Sequence, residues 1–282
     1  MRSTVVLHHL PKQGRTLGAF AMALSPFAKA ADSAPTQNLK LSNSLVNDFI
    51  LWSGGTPSDW GNQVPPTLFP YWTMPALVTC IRGRGLRLSK LLNGGCTIQQ
   101  FMPIPADEQL CLETWFKGIE NGSSYDLISI GSRTKSTDGQ LLLETEVRFI
   151  LPKRVSKDKN RSSKHVERPM DIARIATLEA RANDGFTFAC LTGDFNPIHW
   201  VPSIAKLSGF AGCIQHGFGT LAKSYEHLLK TDKLTRSSCL LKVDFKRTVP
   251  LPSTASLFAD DSTLSVWVDG MHRPSLQGQF KS

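Results

Sequence analysis

The clearest periodic pattern in the chain lies in its second half, where apolar residues recur every three or four positions over residues 216–230. This spacing predicts a long helix with one apolar face. After the helix, apolar and polar residues alternate, which predicts four strands separated by short turns. The predicted strands cover residues 239–249, 254–259, 263–268 and 275–280.

Ahead of the long helix, the pattern predicts one strand, two short helices and a proline-rich loop. The strand covers residues 171–178, and the first short helix covers residues 184–191 and stops at Gly193. The loop at 197–202 leads into the second short helix at 203–207. One strand, a long helix and a run of strands indicate an α+β fold, in which the helix covers the apolar face of an antiparallel sheet.

The first half of the chain resembles a worn copy of this unit. Residues 51–55 match residues 190–194 in pattern, and the Pro-Ile-Pro turn at 103–105 matches the Pro-Leu-Pro turn at 250–252. Two long strands, at 125–133 and 140–150, then close the first half around a hairpin turn. We divide the chain into an N-terminal extension (1–35), a first unit (36–152), a basic linker (153–168) and a second unit (169–282).

The intervals between matching features support a duplication. From Pro70 to Pro103 is 33 residues (103 − 70), and from His216 to Pro250 is 34 (250 − 216). The interval before the helix start is 15 residues in the first copy and 22 in the second, so the first copy lacks about one short helix and loop. Chance similarity between two α+β regions is the alternative.

The formal net charge of +9 is concentrated in the predicted linker. Seven basic residues there are opposed only by Asp158 and Glu167, which leaves 7 − 2 = +5. The stretch is typical of a solvated linker, or of a docking site for a polyanion. Nucleic acid is disfavoured because no recognition helix, zinc ligand set or aromatic-basic motif accompanies the charge. The basic residues are Lys153, Arg154, Lys157, Lys159, Arg161, Lys164 and Arg168.

The N-terminal residues and the cysteines give information on the cellular compartment of the protein. Lys12 and Arg15 precede an apolar run at 17–27, which is typical either of a secretory signal or of an amphipathic helix packed on the protein. No run approaches the roughly 20 apolar residues that a membrane span needs. The six cysteines are irregularly spaced, which favours free thiols in a reducing, cytoplasmic compartment. For Cys190 and Cys213, core packing is favoured over a nucleophilic role.

The segment from Phe188 to His199 carries the candidate chemistry. Gly193 and Pro197 argue against a continuing helix, so a tight loop can turn Asp194 and His199 into one cleft. A carboxylate and an imidazole that converge on one water form a competent general acid–base pair. The alternative is a turn in which the acid caps a helix and the histidine packs.

This segment resembles the motif of the MaoC-like dehydratases and (R)-specific 2-enoyl-CoA hydratases. The resemblance implies a double hot dog fold, in which each long helix is wrapped by an antiparallel sheet. It also implies that Asp194 and His199 hold the catalytic water and that Asn196 stabilises the loop. No metal and no cofactor are expected. The matching residues are Phe188, Leu191, Thr192, Gly193, Asp194, Asn196, Pro197, Ile198, His199 and Ala205.

The family places its oxyanion donor at the glycine that opens the long helix, which is Gly217 here. A backbone N–H at a helix N-terminus can stabilise negative charge on a thioester oxygen. Glycine also lets a ligand approach the backbone closely. Without the resemblance, this glycine would be only a helix-start residue.

The first copy lacks these groups. Ungapped counting places Gly55 and Trp60 where the second copy has Asp194 and His199, and Pro70-Tyr71 replaces the His-Gly pair. By analogy with double hot dog hydratases, this half builds the substrate tunnel without reacting. Candidate tunnel walls are Trp52, Phe69 and Trp72, for which ordinary core packing is the alternative. Lys246 and Arg247 either contact the carrier of the substrate or end a solvated strand.

The sequence therefore predicts a hydro-lyase that interconverts a trans-2-enoyl thioester and an (R)-3-hydroxyacyl thioester. The carrier, coenzyme A or acyl carrier protein, is left open, as are chain length, direction, and the choice between a monomer and a homodimer. A non-catalytic acyl-thioester binding protein is the alternative. A hot dog thioesterase is disfavoured because it needs no Asn-Pro-x-His loop.

Overall fold

The computed structural model describes residues 7–14, 30–86, 90–153 and 171–282. The apolar run at 17–27 and all but the first residue of the basic linker lie outside these ranges. The two interpretations of each segment therefore remain predictions, as do the domain boundaries. Within the described ranges, no helix is both long and apolar enough to cross a membrane.

The second half of the chain supplies helices and strands in the predicted order, and the first half contains the two long strands predicted at its end. The first half holds β1 (Ser33–Lys40), α1 (Asn43–Ser53), β2 (Gln63–Val64), α2 (Pro70–Ile81), β3 (Leu92–Gln100), β4 (Ile104–Pro105), β5 (Gln109–Asn121), β6 (Tyr125–Ser136) and β7 (Leu141–Pro152). The second half holds β8 (Arg174–Ala180), α3 (Asp184–Thr192), α4 (Pro202–Leu207), α5 (Gly217–Lys230), β9 (Cys239–Phe245), β10 (Ser253–Ala259), β11 (Thr263–Val268) and β12 (Leu276–Lys281).

Ten of the strands form one sheet in the order β1-β5-β6-β7-β3-β9-β12-β11-β10-β8, and all their pairings are antiparallel. Each half contributes five strands with the same connectivity, arranged in opposite directions from the centre. The halves meet where β3 pairs with β9, with Cys96 opposite Val243. This symmetry is that of two copies of one unit, and it confirms the predicted α+β double hot dog architecture.

A constant offset of 147 residues relates the two copies over the long helix and the strand that follows it. It separates Phe69 from His216 (216 − 69) and Pro103 from Pro250 (250 − 103). The same offset separates the two residues paired at the centre of the sheet (243 − 96). Phe69 and His216 are the N-caps of α2 and α5. The counterpart of His216 in the first copy is therefore Phe69, not Pro70 as the sequence intervals indicated. With this alignment, the distance from the helix start to the proline turn is 34 residues in both copies.

The long helices bury their apolar faces against the sheet. Phe218, Leu221, Tyr225 and Leu228 of α5 are all at most 2% exposed. They belong to one apolar cluster that continues into the first half. Each such side chain contributes on the order of 1.5–3 kcal/mol when it leaves water. The predicted helix over 216–230 is thus confirmed, with its first helical residue at Gly217.

One predicted strand was too long. The alternating pattern over residues 239–249 continues beyond β9, which ends at Phe245. The chain leaves the sheet there because Val249 and Pro250 pair instead with the segment before α5. The N–H of Gln215 donates to the carbonyl of Val249 at 2.8 Å, and Ile214 bridges Pro250. This departure holds the start of α5 in place.

Candidate active site

Helix α3 ends where the candidate loop begins. Gly193 adopts a left-handed conformation (φ 82°), and its N–H donates to the carbonyl of Ala189 at 2.7 Å. Gly54 ends α1 in the same way (φ 93°). A left-handed C-cap favours glycine because a Cβ is disfavoured there. The match between residues 51–55 and 190–194 therefore reflects the same glycine C-cap at the end of each helix. The predicted stop at Gly193 is confirmed.

The loop after Gly193 is held by its own side chains. The Asn196 side-chain oxygen accepts a hydrogen bond from the N–H of Ile198 at 3.4 Å and caps a single turn of 3-10 helix, Pro197–His199. The N–H of Asn196 in turn donates to Asp194 Oδ1 at 3.4 Å. Asn196 is exposed, so the contacts observed for it are those of a residue that shapes the loop.

The tautomer of His199 is set by its backbone partner. Nδ1 of this buried ring lies 2.7 Å from the carbonyl oxygen of Ile214. A carbonyl oxygen can only accept, so Nδ1 carries the proton and Nε2 of the neutral ring keeps its lone pair. Ile214 is fixed in turn by its bridge to Pro250. The departure of the chain from β9 therefore orients the histidine.

His216, the N-cap of α5, was predicted only as the start of the long helix and not as part of the site. Its ring stacks on His199 with 3.5 Å between the centroids, and its Nε2 donates to the backbone carbonyl of Asp194 at 3.0 Å. Burial, and then the proximity of His199, hold the pKa of His216 well below its usual range. A neutral His216 therefore contacts both Asp194 and His199 and adds no charge next to them.

The acid and the imidazole are close enough to act together. A carboxylate oxygen of Asp194 and a ring nitrogen from each of His199 and His216 all lie within 4.8 Å of one another. Burial raises the pKa of Asp194, opposed by His199, and burial lowers the pKa of His199, opposed by Asp194. Both groups are thereby moved toward their neutral forms, as expected for groups that exchange protons near neutral pH.

Two glycines allow close packing around this pair. An ideal Cβ on Gly217 would lie 2.7 Å from the ring of Phe245, so this helix start approaches the end of β9 closely. An ideal Cβ on Gly185 would lie 1.8 Å from the carbonyl oxygen of His199. Helix α3 therefore lies directly against the loop. Gly185 was missed because nothing in the local pattern of α3 reveals what packs against it.

The predicted tunnel residues are buried or half-buried, and each contacts a different partner. Phe69 is fully buried and meets Phe218 edge to face at 5.1 Å. Trp72 is 4% exposed, and its Nε1 donates to Thr134 Oγ1 at 3.0 Å, which ties α2 to β6. Trp52 is half-buried between helices, and its Nε1 donates to Asp184 Oδ1 at 3.3 Å. Their role as tunnel walls remains a prediction.

Lys246 and Arg247 are both exposed and directly follow Phe245, the residue that packs on Gly217. Nζ of Lys246 bonds to Asp244 Oδ2 at 2.8 Å. The two cations therefore lie on the surface next to the segment that touches the start of α5. Contact with a carrier remains a prediction for both.

The first copy keeps the backbone of the site and lacks its chemistry. Its 3-10 turn, Pro57–Asp59, corresponds to Pro197–His199, so the exposed Asp59 occupies the place of His199. Ungapped counting had placed Trp60 there, and this was wrong because the first loop is one residue shorter. Pro70, at the first helical position of α2, replaces Gly217 and has no N–H to donate. The absence of an α-helix between Gly55 and Phe69, all described residues, agrees with the predicted deletion.

Among the described residues, two groups of side chains have spacing that suits a metal ion: Asp194 with His199 and His216, and His8 with His9 and Asp48. In the first group, two of the ring nitrogens donate to backbone carbonyls, His199 Nδ1 to Ile214 and His216 Nε2 to Asp194. Those two nitrogens are engaged in hydrogen bonds, and the absence of a metal here stays a prediction.

Comparison with known proteins bears on the family and the activity of the chain. Residues 159–264 match the family model of the MaoC like domain. The second half of the chain contains a MaoC-like domain. The chain is 24% identical over 252 residues to "3-hydroxyacyl-thioester dehydratase X" of Mycobacterium tuberculosis, with 86% of each covered. It is 23% identical over 230 residues to "Enoyl-CoA hydratase 2, peroxisomal" of Arabidopsis thaliana, with 74% of this chain and 71% of that protein covered.

Solved structures give the same fold. The crystal structure of HtdX from Mycobacterium tuberculosis has a TM-score of 0.71 at 20% identity and covers 87% of this chain and 98% of that one. A second protein of Mycobacterium tuberculosis, described as having a double hotdog fold, has a TM-score of 0.57 at 13% identity, over 90% and 96% of the two chains. The fold prediction and the family resemblance are both confirmed.

Proposed function

We propose that this protein is a hydro-lyase that adds water to a trans-2-enoyl thioester, or removes it from an (R)-3-hydroxyacyl thioester, with Asp194 and His199 as the catalytic pair. Hydratase or dehydratase activity on acyl thioesters follows from the MaoC-like domain and from the names of the two relatives. The observation that carries the residue assignment is the bond between His199 Nδ1 and Ile214, which leaves the Nε2 lone pair available beside Asp194.

In the proposed hydration step, Asp194 and His199 hold one water between them. The water oxygen bonds to Cβ of the enoyl group, and the pair takes one of its protons. The electrons of the double bond move toward the thioester oxygen, and the pair then returns a proton to Cα. The depressed pKa of His199 keeps the ring unprotonated and able to accept, and the raised pKa of Asp194 favours a carboxyl group able to donate. Dehydration reverses these steps.

The start of α5 is the proposed oxyanion site. The first N–H groups of a helix lack intrahelical partners and carry the positive end of its dipole. Gly217 is the first helical residue and directly follows His216, whose Nε2 bonds to the backbone of Asp194. The donor and the acid–base pair are thus connected through one residue. A donor of this kind contributes about 2.7–4 kcal/mol in other acyl-transfer sites.

The first half is proposed to shape the substrate site without reacting, since Gly55, Asp59 and Pro70 stand where the second half has its acid, its imidazole and its oxyanion donor. The carrier is coenzyme A or acyl carrier protein, and Lys246 and Arg247 are its proposed contacts. The chain is proposed to act without a cofactor or metal, as a monomer or a homodimer.

The test is a hydration assay over enoyl thioesters from four to twelve carbons on both carriers, followed by the loss of enoyl absorbance. Asp194→Asn and His199→Ala are expected to lose more than about 100-fold in kcat, at the low end for removal of a general acid or base. Asp261→Asn and His272→Ala are matched controls at exposed positions. Full turnover in both active-site variants would contradict the residue assignment.

Two other outcomes would point to the alternatives. Ligand-dependent thermal stabilisation of the wild type without turnover would indicate a non-catalytic acyl-thioester binding protein. Release of free thiol, detected with a thiol reagent, would indicate a thioesterase. The (R) configuration of the 3-hydroxyacyl product, read by chiral chromatography, would support the proposed reaction.

A further inference from the structure

A cluster of two histidines and one aspartate lies outside the candidate active-site group, where the N-terminal segment Leu7–Gln13 contacts α1. We call it the histidine–aspartate cluster: His8, His9 and Asp48. His9 Nε2 lies 2.8 Å and His8 Nε2 lies 3.4 Å from the same atom, Asp48 Oδ2. The three ligand atoms all lie within 4.8 Å of one another. Two imidazole nitrogens and one carboxylate oxygen are therefore clustered.

The residues of the cluster come from the N-terminal segment and from α1. Ser44 and Asp48 are four residues apart on α1 and thus share one face of the helix. Ser44 Oγ lies 3.3 Å from His8 Nε2, at the edge of the cluster. The His9 side chain is fully buried, whereas that of His8 is 50% exposed. One side of the cluster is therefore fixed in the protein, and the other side is open to an ion from solvent.

The donor set and spacing match the chemistry of zinc. Zn²⁺ takes imidazole nitrogens and carboxylate oxygens at about 2.0–2.1 Å in tetrahedral sites, which puts neighbouring ligand atoms about 3.3 Å apart. The separations of 2.8 and 3.4 Å from Asp48 Oδ2 bracket that value. Three protein ligands leave a fourth position for water. Mg²⁺ and Ca²⁺ prefer oxygen ligands and fit this set poorly.

We propose that the histidine–aspartate cluster binds a Zn²⁺-class divalent cation that fastens the N-terminal segment to α1. The consequence extends to the candidate active site through Gln13, the last residue of the segment. This side chain is 1% exposed, and its Nε2 donates to the carbonyl of Cys190 at 2.9 Å, within α3. The ion would thus help to hold the helix that leads into Asp194.

The test measures metal binding by the full chain without a histidine tag. The protein is stripped with a chelator and titrated with Zn²⁺ and, as a spectroscopic probe, Co²⁺. We expect one ion per chain and a visible Co²⁺ spectrum of a tetrahedral site. His8→Ala and Asp48→Asn are expected to weaken binding by at least about tenfold, as loss of one of three ligands requires. Circular dichroism verifies that these variants fold.

Two controls distinguish this cluster from other histidines. His272→Ala, at an exposed position, should bind metal as the wild type does. The double variant Asp194→Asn/His199→Ala should also retain the ion, because it changes only the group formed by Asp194, His199 and His216. Zn²⁺ should raise Tm by a few degrees in the wild type and in both controls, but not in His8→Ala. Unchanged affinity in His8→Ala and Asp48→Asn, or the absence of one-to-one binding in the wild type, would overturn the proposal.

Discussion

A buried acid of the second half, which faces the first half, leads to a specific prediction about stability. Glu226 of α5 is 2% exposed and faces the first copy of the loop. Its Oε2 receives a long hydrogen bond, 3.5 Å, from Nε1 of the buried Trp60, and its Oε1 is buried without a hydrogen-bond partner. An ideal Cβ on Gly55 would lie 2.4 Å from Oε2. A charged carboxylate in this position therefore loses its hydration and gains only one long hydrogen bond in return.

Burial raises the pKa of Glu226 from 4.5 to about 7, against the opposing effects of Trp60 and the nearby basic residues. The folded protein therefore binds this proton more tightly than the unfolded chain does. The stabilisation is fully present below pH 4.5 and is lost as the pH rises through 7. At 1.36 kcal/mol for each unit of pKa, the loss amounts to about 3 kcal/mol in the free energy of unfolding.

Glu226→Gln keeps the shape of the side chain and removes the titration. We expect the variant to match the wild type within about 1 kcal/mol at pH 5 and to exceed it by about 2–3 kcal/mol at pH 8. Urea denaturation at both pH values, followed by tryptophan fluorescence, measures this difference. Glu120→Gln, at an exposed position, serves as the matched control and should show no such dependence. A wild-type-to-variant difference that stays constant between pH 5 and pH 8 would refute the reasoning.

Two further substitutions test how the candidate active site is supported. Gly185→Ala would place a methyl group within 1.8 Å of the His199 carbonyl oxygen, so kcat should fall with little change in helix content, as enzyme kinetics and circular dichroism can show. Wild-type kcat would contradict the close packing of α3 on the loop. Asp184→Ala would leave the Lys223 ammonium, 13% exposed, without its buried partner and should lower the free energy of unfolding by about 3 kcal/mol in urea denaturation. A loss below about 1 kcal/mol would show that water replaces the carboxylate.

Much of the second half follows from local pattern. The apolar spacing of α5, the glycine stop of α3 and the Asp-x-Asn-Pro-x-His loop each depend on residues close together in the chain. Features of this kind can be predicted from the sequence because they depend on neighbouring residues. The position of Asp194 and His199 in one loop could therefore be predicted, and so could the order of the strands.

The remaining features depend on contacts between distant segments. The carbonyl that orients His199 belongs to Ile214, which is held by a bridge to Pro250 after the chain leaves β9. The alternation of apolar and polar residues continues past the point where the chain leaves the sheet. For this reason the predicted strand over 239–249 was too long. A one-residue deletion in a loop likewise leaves the apolar pattern unchanged. It shifted the counterpart of His199 from Trp60 to Asp59.

The first half has the backbone of the proposed site without its chemical groups. Gly55 follows the same left-handed cap as Asp194 does, but the space for a side chain at Gly55 is filled by Glu226. Proline at the first position of α2 removes the N–H that would bind an oxyanion. A single reversion at Gly55 would therefore place two carboxylates in contact without an imidazole or an oxyanion donor. The two copies therefore share one fold, and only the second has the acid, the imidazole and the glycine N–H of the proposed site at matching positions.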